Sequence, residues 1–372
     1  MCTSLSYSDA AGRIYFGRTL ELTVDLPYQI AYFPAGFPVR SEVEGHPPLQ
    51  FEARHGVLGV TMPARIPTPD APLAVHDFKV LEGLNDQGLT FSLLSYPVAS
   101  GPQQAVAMTQ AVLSASDLGN WVLGQFATVA EVKAALASQP VVLQPLAILG
   151  GVVSPFHYVV HDASGAALVI EFNRGRMSVY DNPVGVMTNG PEFPWHLTNL
   201  NNYTFLTNVD TPSASFGRYR AVQPDSGIAT AGLPASNTSV GRFVRAAFYA
   251  HYAEKAATPE AAVGTLAHIL NNFDRPRGVS IDYPESGGGG HLEVAGLEPE
   301  KGAAYATEFT TWTSLSDLDR KLFFIRDYGS LNFTRFDLGG LSSLKQPKIV
   351  PLKHLSGAAP DASSLLVGSA AA

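Results

Sequence analysis

Short blocks of alternating apolar and polar residues are the feature that most limits how this chain can fold. One block covers residues 13–22, and a pair covers residues 78–84 and 89–94 on either side of Asn85-Asp86-Gln87-Gly88. Asparagine, aspartate and glycine tolerate the positive φ of a tight turn, so this pair predicts a β-hairpin. A meander is predicted over residues 156–188, and the pattern returns over residues 307–338.

Helical patterns lie between these strand blocks. Thr128 and Glu131 form the capping box of a helix that runs to Leu136. A helix with one apolar face is predicted over residues 239–252, and the next begins at Thr258-Pro259. We therefore predict an α+β fold in which two antiparallel sheets stack face to face between helices, a four-layer αββα sandwich. Two smaller α+β domains would give the same alternation.

Length and hydrophobicity allow one large core. The chain has 372 residues, of which 46% are hydrophobic. We assign residues 2–340 to a single domain and residues 341–372 to a partly ordered C-terminal extension. The glycine-rich run at residues 286–290 lacks the Lys-Ser/Thr pair of a phosphate loop, so we interpret it as a linker.

The composition excludes several classes of function. A net charge of -8 argues against a nucleic-acid partner and against a polybasic membrane surface. No apolar run is long enough for a membrane span. The ten histidines show no His-Glu-x-x-His spacing, so neither a metal nor another cofactor is expected. The first residues lack a signal-peptide pattern, which favours the cytoplasm; a periplasmic location is the alternative if Met1 replaces a signal peptide.

The single cysteine, Cys2, directly follows Met1. It has no partner for a disulfide within the chain. If Met1 is removed, residue 2 carries both a thiol and an α-amine, whose pKa of roughly 7.7–8.0 suits a general base. Nucleophile and base then share one residue, as in N-terminal-nucleophile hydrolases. A small residue in a frayed chain end is the alternative.

Two charged residues of the first strand block are candidates to act on Cys2. Arg18 comes to lie beside the thiol if Cys2 begins a strand that pairs back onto this block, and a guanidinium there favours the thiolate. Glu21 could then hold the amine of residue 2. An ordinary ion pair at the end of a strand is the alternative for both residues.

Three further polar residues are candidates for the same site. Asn85 opens the hairpin turn and Asn189 follows the strand over residues 184–188, and an amide donor can face an oxyanion without adding a charge. A turn-forming role is the alternative for each. Arg242 begins a helix, where a cation opposes the helix dipole and therefore needs a specific partner.

Blocks in a fixed order resemble the choloylglycine hydrolase family, which contains bile salt hydrolases and penicillin V acylases. The resemblance extends from Cys2 to about residue 338 and is carried by Met1-Cys2-Thr3 and by residues 16–21, 83–89, 182–189, 197–203, 242–248 and 308–318. Each block is short, and it is their joint occurrence behind an N-terminal cysteine that is specific.

The resemblance implies an N-terminal-nucleophile fold that hydrolyses linear, non-peptide amide C–N bonds through a thioester. It implies that Cys2 is the nucleophile and its amine the base, and that five other residues support them. Arg18 steadies the thiolate, Glu21 positions the amine, Asn85 and Asn189 bind the oxyanion or the amine, and Arg242 supports the charged site. The family most often has aspartate where this chain has Glu21, so the reach of that carboxylate differs.

Several functions remain open at this level. The expected partner is a small N-acyl amide such as a conjugated bile salt or penicillin V, and N-acyl-homoserine lactones are the alternative substrates. A catalytically idle relative that acts as a binding protein is a further alternative if Met1 is retained. A lone cysteine without a resolving partner argues against a thiol-redox protein. The oligomeric state is also open, with a homodimer and a homotetramer as the alternatives.

Overall fold

The computed structural model of the protein describes residues 1–101, 106–283 and 305–357. The glycine-rich run at residues 286–290 lies outside the described residues. The strands of the first half are β1 (Cys2–Ser8), β2 (Ile14–Leu22), β3 (Gln29–Phe33), β4 (Pro38–Ser41), β5 (Leu49–Glu52), β6 (Val57–Pro63), β7 (Phe78–Asn85), β8 (Thr90–Ser95), β9 (Leu113–Ser114), β10 (Val141–Val142), β11 (Pro145–Leu146), β12 (Val152–Val153), β13 (Phe156–His161), β14 (Ala167–Asn173), β15 (Arg176–Asp181) and β16 (Val186–Met187).

The second half adds fewer strands and holds the longer helices. Its strands are β17 (Ser213–Phe216), β18 (Tyr219–Val222), β19 (Phe309–Asp317), β20 (Leu322–Asp327), β21 (Thr334–Asp337) and β22 (Lys348–Pro351). The helices of the described residues are α1 (Leu118–Gln125), α2 (Val129–Leu136), α3 (Phe193–Leu200), α4 (Ser239–Tyr252), α5 (Pro259–Asn271) and α6 (Leu338–Leu341).

Strand β1 lies inside a six-stranded antiparallel sheet. The order of this sheet is β16-β1-β2-β19-β20-β21, so β1 is paired on both sides. In the β1–β2 register Cys2 faces Leu20 and Ser4 faces Arg18. The chain end that is expected to fray is thus fixed by strands on either side, and Cys2 begins a strand that pairs back onto the block containing Arg18, as predicted.

The second large sheet has eight strands in the order β15-β14-β13-β8-β7-β6-β3-β22. Its pairs are antiparallel, and β7 and β8 form the hairpin predicted around Asn85. The last strand, Lys348–Pro351, pairs with β3 at the edge of this sheet. Part of the segment assigned to a C-terminal extension therefore belongs to the main fold.

Helices cover the outer faces of both sheets. Helices α4 and α5 pack on β1, β2 and β19, whereas α1 packs on β7 and β8 and α2 packs on β14. Apolar side chains fill the space between the two sheets and the space beneath the helices on each outer face. The order of layers is helix, sheet, sheet, helix, which confirms the predicted αββα sandwich.

Local sequence signals explain where two helices begin. The Thr128 side chain accepts a hydrogen bond from the Glu131 main-chain N–H at the start of α2, and the Thr258 side chain does the same at α5 for Ala261. The bounds of α4 are those predicted, residues 239–252. Within the described ranges, no helix combines the length and the apolar character needed to cross a bilayer.

A β-bulge in β7 shapes the space between the sheets. Val60 of β6 pairs with Glu82 and Thr61 pairs with Val80, so Leu81 is the extra residue. A bulge re-aims the side chains that follow it and leaves a carbonyl outside the regular ladder. Here the Leu81 carbonyl accepts a hydrogen bond from Arg18 of the other sheet. The irregularity therefore supplies one of the polar groups that hold Arg18 between the sheets.

The close pairing of β6 with β7 depends on Gly59. A Cβ atom at Gly59 would lie 2.2 Å from the Glu82 carbonyl oxygen and 2.9 Å from Gly83 Cα, both main-chain atoms. We predict that Gly59→Ala lowers the free energy of unfolding by about 1–3 kcal/mol, because the strands must separate to admit the methyl group. Denaturant unfolding measures the change.

The same substitution at Gly264 is a matched control. Gly264 lies on the exposed side of α5, and no atom outside the helix lies within 4 Å of an added Cβ there. Gly264→Ala should raise the free energy of unfolding by about 0.5–1 kcal/mol, because alanine loses less conformational freedom in a helix. Equal effects of the two variants would contradict the role of Gly59 in the strand pairing.

Candidate active site

Cys2 stands at the start of β1, with its thiol between the two sheets. The residue is 3% exposed. Its main-chain N–H donates a hydrogen bond to Asn189 Oδ1 at 3.0 Å, and its carbonyl accepts one from Arg242. Its sulfur accepts a hydrogen bond from Arg18. Three of the residues that the sequence singled out therefore converge on Cys2.

Arg18 reaches the sulfur from the neighbouring strand. Its Nη2 lies 3.2 Å from Cys2 Sγ, its Nη1 donates to the Leu81 carbonyl, and its guanidinium stacks on the Trp312 ring at 4.9 Å. Burial alone would lower the pKa of Arg18, but the nearby Cys2 and Glu82 reverse this and raise the pKa above its ordinary value. These contacts hold the guanidinium against the Cys2 sulfur.

Asn189 links Cys2 to the helix and to the second sheet. Its Oδ1 accepts hydrogen bonds from the Cys2 N–H and from Arg242 Nη2, the latter at 2.6 Å. Its Nδ2 donates to the Ser95 carbonyl at the end of β8, at 2.7 Å. Because two donors meet the oxygen and an acceptor meets the nitrogen, the orientation of the amide is defined.

Arg242 lies in the first turn of α4 and is fully buried. Besides its bonds to Cys2 and Asn189, its Nη1 donates to Thr3 Oγ1 at 2.8 Å and its Nε donates to the Asn237 carbonyl at 3.0 Å. Burial lowers the pKa of Arg242 to about 10, against the opposing effect of Glu21. The specific partner predicted for a cation at this helix start is therefore the main chain around Cys2.

Glu21 lies close to the site but does not bind Cys2. Its carboxylate is fully buried, and its Oε1 accepts a hydrogen bond from the Thr310 hydroxyl at 3.2 Å. Its Oε2 has no hydrogen-bond partner among the described residues. The Met1 amine donates to the Glu21 carbonyl and lies 3.5 Å from Glu308 Oε1. With Met1 attached, the nitrogen of Cys2 is a peptide amide that cannot act as a base.

Asn85 is not brought to this cluster. Its Nδ2 donates to the carbonyls of Leu123 and Phe126, and its Oδ1 accepts from the main-chain N–H groups of Gln87 and Leu89. It stands three residues beyond Glu82 on β7, about 10 Å further along the strand. The geometry thus gives Asn85 the turn-forming role that was its alternative, and it corrects the expectation that this side chain faces the oxyanion.

Two buried histidines hold the main chain at Asn189. His157 Nε2 lies 3.0 Å from the Thr188 carbonyl, and His196 Nε2 lies 2.9 Å from the Asn189 carbonyl. A carbonyl only accepts hydrogen bonds, so both nitrogens donate. His157 Nδ1 lies 3.1 Å from Glu171. Sequence reasoning did not select these residues, although a charged Glu171 inside an apolar strand is a signal that could have been used.

An apolar cavity opens beside Cys2. Cys2, Arg18 and Glu21 contribute to its lining, and most of the other lining residues are aliphatic or aromatic. Representative wall residues are Leu20, Met62, Leu81, Leu93, Ile148 and Phe156. A site with one reactive group and apolar walls suits a ligand whose reacting bond adjoins an apolar group.

A thiol paired with a guanidinium and amide groups, at the start of a strand in an αββα sandwich, defines an N-terminal-nucleophile class of amidase. The family model for linear amide C–N hydrolases of the choloylglycine hydrolase family matches residues 2–287. The chain belongs to this family, as the resemblance predicted, and it is an amide hydrolase by that membership.

Relatives and solved structures agree with this assignment. The bile salt hydrolase/transferase of Clostridium perfringens is 24% identical over 366 residues, which is 96% of this chain and 100% of that protein. A mutant of conjugated bile acid hydrolase from the same organism has the same fold, with a TM-score of 0.76, 23% identity and coverage of 94% and 96% of the two chains. Penicillin V acylase from Agrobacterium tumefaciens is similar at a TM-score of 0.69 and 21% identity, with coverage of 94% and 92%.

The burial of His196, which donates a hydrogen bond to the Asn189 carbonyl, predicts that the stability of the protein depends on pH. Burial lowers the pKa of His196 to about 4 from an ordinary 6.5. The unfolded chain therefore takes up a proton first as the pH falls, so the stability contributed by the neutral ring is complete above about pH 6.5 and is lost toward pH 4. Between about pH 7 and pH 5 the wild type should lose about 2 kcal/mol through this residue.

We predict that His196→Gln reduces that loss, because a glutamine keeps a donor for the Asn189 carbonyl and does not titrate. The measurement is denaturant unfolding near pH 7 and near pH 5, and the pH effect should shrink by about 1–2 kcal/mol. The exposed His251 is the matched control for replacing a histidine by glutamine. An identical pH effect in wild type and His196→Gln would contradict the prediction.

Proposed function

We propose that Cys2, once Met1 is removed, is the nucleophile that hydrolyses an N-acyl amide whose acyl group lies in the apolar cavity. The observation that carries this proposal is the 3.2 Å contact between Arg18 Nη2 and Cys2 Sγ, two residues that line the cavity. A thiol is a poor nucleophile until it ionises, and a buried guanidinium is the kind of neighbour that ionises it.

The reaction proceeds in two steps. The thiolate attacks the amide carbonyl carbon, and the resulting oxyanion accepts a hydrogen bond from Asn189, whose Nδ2 carries a second hydrogen besides the one donated to Ser95. The Cys2 ammonium gives its proton to the leaving nitrogen as the C–N bond breaks. The amine then takes a proton from water, and the hydroxide so formed releases the acid from the thioester.

Two further residues hold the new chain end in this proposal. Arg242 binds the Cys2 carbonyl and Asn189 together, so it fixes the nucleophile relative to the oxyanion donor. Glu21 orients the Cys2 amine that removal of Met1 creates. The support for this role is that Glu21 lies on the strand next to Cys2 and that one oxygen of its buried carboxylate, Oε2, has no hydrogen-bond partner among the described residues. Asn85 has no part in this mechanism.

The acyl group is proposed to be apolar over most of its length. The similarity to a bile salt hydrolase supports conjugated bile salts, and the similarity in fold to a penicillin V acylase keeps penicillin V as a candidate. N-acyl-homoserine lactones are the alternative, and their acyl chains also suit aliphatic walls. The function as an idle binding protein is the alternative if Met1 stays attached.

The quaternary structure and the domain assignment remain proposals as well. A hairpin of β17 and β18 exposes Phe216, Tyr219 and Val222, and exposed apolar side chains of this kind support assembly into a homodimer or homotetramer. Residues 2–340 are proposed as the catalytic domain, to which β22 is added as an edge strand.

The first test is the dependence of activity on Cys2 and on a free chain end. Intact mass identifies protein with and without Met1, and we predict that only the form lacking Met1 releases amine from substrate. Cys2→Ala should abolish hydrolysis, a loss of about 1,000-fold or more, because the nucleophile is gone. Its unfolding transition should remain cooperative. Turnover at the wild-type rate in Cys2→Ala would rule out this mechanism.

The second test measures the preference of the cavity for apolar acyl groups. A panel of glycine-conjugated and taurine-conjugated bile salts, penicillin V and acyl-homoserine lactones is compared by kcat/KM from released amine. We predict that Ile148→Asn lowers kcat/KM for the best substrate about 10-fold or more, because a polar amide replaces part of an apolar wall. Ile228 lies on the exposed surface away from the cavity, so Ile228→Asn is the matched control. Equal kcat/KM in both variants would contradict the cavity as the acyl site.

A further inference from the structure

Glu82 is a buried acid beside the site that the mechanism above does not use. It lies on β7 and is fully buried between the sheets. Its Oε2 is 3.5 Å from Arg18 Nη1 and accepts a hydrogen bond from the Ser92 hydroxyl. Its Oε1 has no hydrogen-bond partner in the described part of the chain. A glutamate is rarely fully buried unless it is paired, and buried acids of this kind are common at functional sites. The contact between Glu82 and Arg18 is therefore a candidate functional contact.

The two nitrogens at the tip of Arg18 face two different acids. Nη2 contacts Cys2 Sγ at 3.2 Å, and Nη1 lies 3.5 Å from Glu82 Oε2. One guanidinium balances only one negative charge, and all three side chains are buried. A thiolate at Cys2 and a carboxylate at Glu82 therefore compete for this guanidinium, and the repulsion between the two negative charges disfavours the ionisation of both at once.

We propose that Glu82 is a positioning residue that acts on Cys2 through Arg18: the two acids share one guanidinium, so the charge of Glu82 sets how readily the thiolate forms. This inference rests on the proposed function, in which the thiolate is the nucleophile. When Glu82 is neutral, the guanidinium serves the thiolate alone. When Glu82 is ionised, it competes for the same cation and disfavours the thiolate.

The pKa of Glu82 places this competition for Arg18 near neutral pH. Burial raises the pKa of Glu82 to about 7, although Arg18 and the Ser92 hydroxyl oppose the rise. Glu82 therefore changes charge near neutral pH, where an amidase with an N-terminal amine as base would work. Two acids joined by one cation titrate as a coupled pair, so the pH dependence of Cys2 belongs to the pair rather than to the thiol alone.

Other titratable groups near the pair do not replace Glu82 in this role. Burial raises the pKa of Tyr28 above its ordinary value, so its hydroxyl stays neutral in this pH range. Arg242 of α4 interacts with Cys2 but hydrogen-bonds its carbonyl rather than its sulfur. Lys79, on the same strand as Glu82, forms an ion pair with Asp117. The carboxylate of Glu21 opposes the lowering of the Arg242 pKa.

The experiment follows the thiol directly. Cys2 is the single cysteine of the chain, so alkylation of the Met1-free protein by iodoacetamide reports on this sulfur alone. The rate is measured across pH for wild type and for Glu82→Gln, which removes the charge and keeps the shape. We expect the midpoint of the alkylation profile to fall by about 1 pH unit in Glu82→Gln, with a rate several-fold higher near pH 6. Coincident midpoints would overturn the proposal.

Asp162→Asn is the matched control. Asp162 is also buried and loses the same charge, but it binds the main chain of Val129 and Ser164 at the β13–β14 turn. The midpoint of Cys2 alkylation in Asp162→Asn should equal that of wild type. A merely structural role for Glu82 would change the rate or the stability without moving the midpoint.

Two more variants keep the test decisive if Glu82→Gln does not fold. Ser92→Ala removes the hydroxyl that stabilises the carboxylate, so its midpoint should shift in the same direction by a smaller amount. Glu82→Asp keeps the charge, and its midpoint should stay closer to that of wild type. The proposal would be overturned if the alkylation midpoint of Ser92→Ala equalled that of wild type, or if the midpoint of Glu82→Asp shifted as far as that of Glu82→Gln.

Alkylation also separates this proposal from the proposed function. If the midpoint shifts but no member of the substrate panel is hydrolysed, the proposed function fails and the shared guanidinium stands. If hydrolysis depends on Cys2 and kcat/KM has the same pH profile in wild type and Glu82→Gln, with no shift in alkylation, the shared guanidinium fails alone.

Discussion

The contact between Arg18 and Cys2 is the interaction on which the rest of the site depends. Removing a guanidinium from water costs several kcal/mol unless each donor finds a partner. Here the partners come from both sheets: the Cys2 sulfur from β1, the Leu81 carbonyl and Glu82 from β7, and the Trp312 ring from β19. A lysine lacks the planar fork that lets Arg18 present separate nitrogens to the two acids while the plane of the guanidinium lies over the ring. The two sheets are therefore joined at this point by the guanidinium that contacts the thiol.

A nucleophile at a chain end needs a rigid frame, because the first residues of a protein usually fray. In this fold β1 is paired with β2 on one side and with β16 on the other. Arg242 ties the Cys2 carbonyl to α4, and Asn189 ties the Cys2 nitrogen to the end of β16. His157 and His196 hydrogen-bond the main-chain carbonyls of Thr188 and Asn189 and so fix the main chain there. The position of the thiol is thus determined by two strands, one helix and a pair of buried rings, and not by the terminal residue itself.

Much of this arrangement could be predicted from the sequence, because it depends on local signals. Alternation and turn residues located β2, β7, β8 and the meander, and the caps at Thr128 and Thr258 located α2 and α5. The expected pairing of β1 with β2 placed Arg18 beside Cys2 without knowledge of any other contact. The antiparallel register follows from a short turn between two strands, so a local rule was sufficient here.

Other features depend on which strands meet across the two sheets, and no local pattern contains that information. Asn85 and Asn189 look alike in sequence, since each is an asparagine at a strand end, yet only Asn189 binds Cys2. The bulge at Leu81 and the burial of Glu82 opposite Arg18 arise from the stacking of the sheets. Sequence reasoning therefore found Arg18 from strand pairing, and Asn189 and Arg242 from the resemblance to the family. It assigned Asn85 wrongly and did not select Glu82, because their surroundings depend on how the sheets and helices stack.

The distribution of unsatisfied polar atoms supports the view that this region is selected for chemistry at some expense of stability. Among the described residues, buried side-chain atoms without a hydrogen-bond partner include Arg18 Nε and Glu82 Oε1, which belong to the two side chains paired beside Cys2, and Glu21 Oε2 on the strand next to Cys2. Each such atom costs roughly 1–3 kcal/mol compared with a satisfied one. A core built only for stability would fill these positions with apolar side chains, which often stabilise a protein relative to a buried ion pair. Arg18 and Glu82 are buried together beside the single cysteine of the chain, and charged groups gathered in this way around a reactive side chain are typical of functional sites.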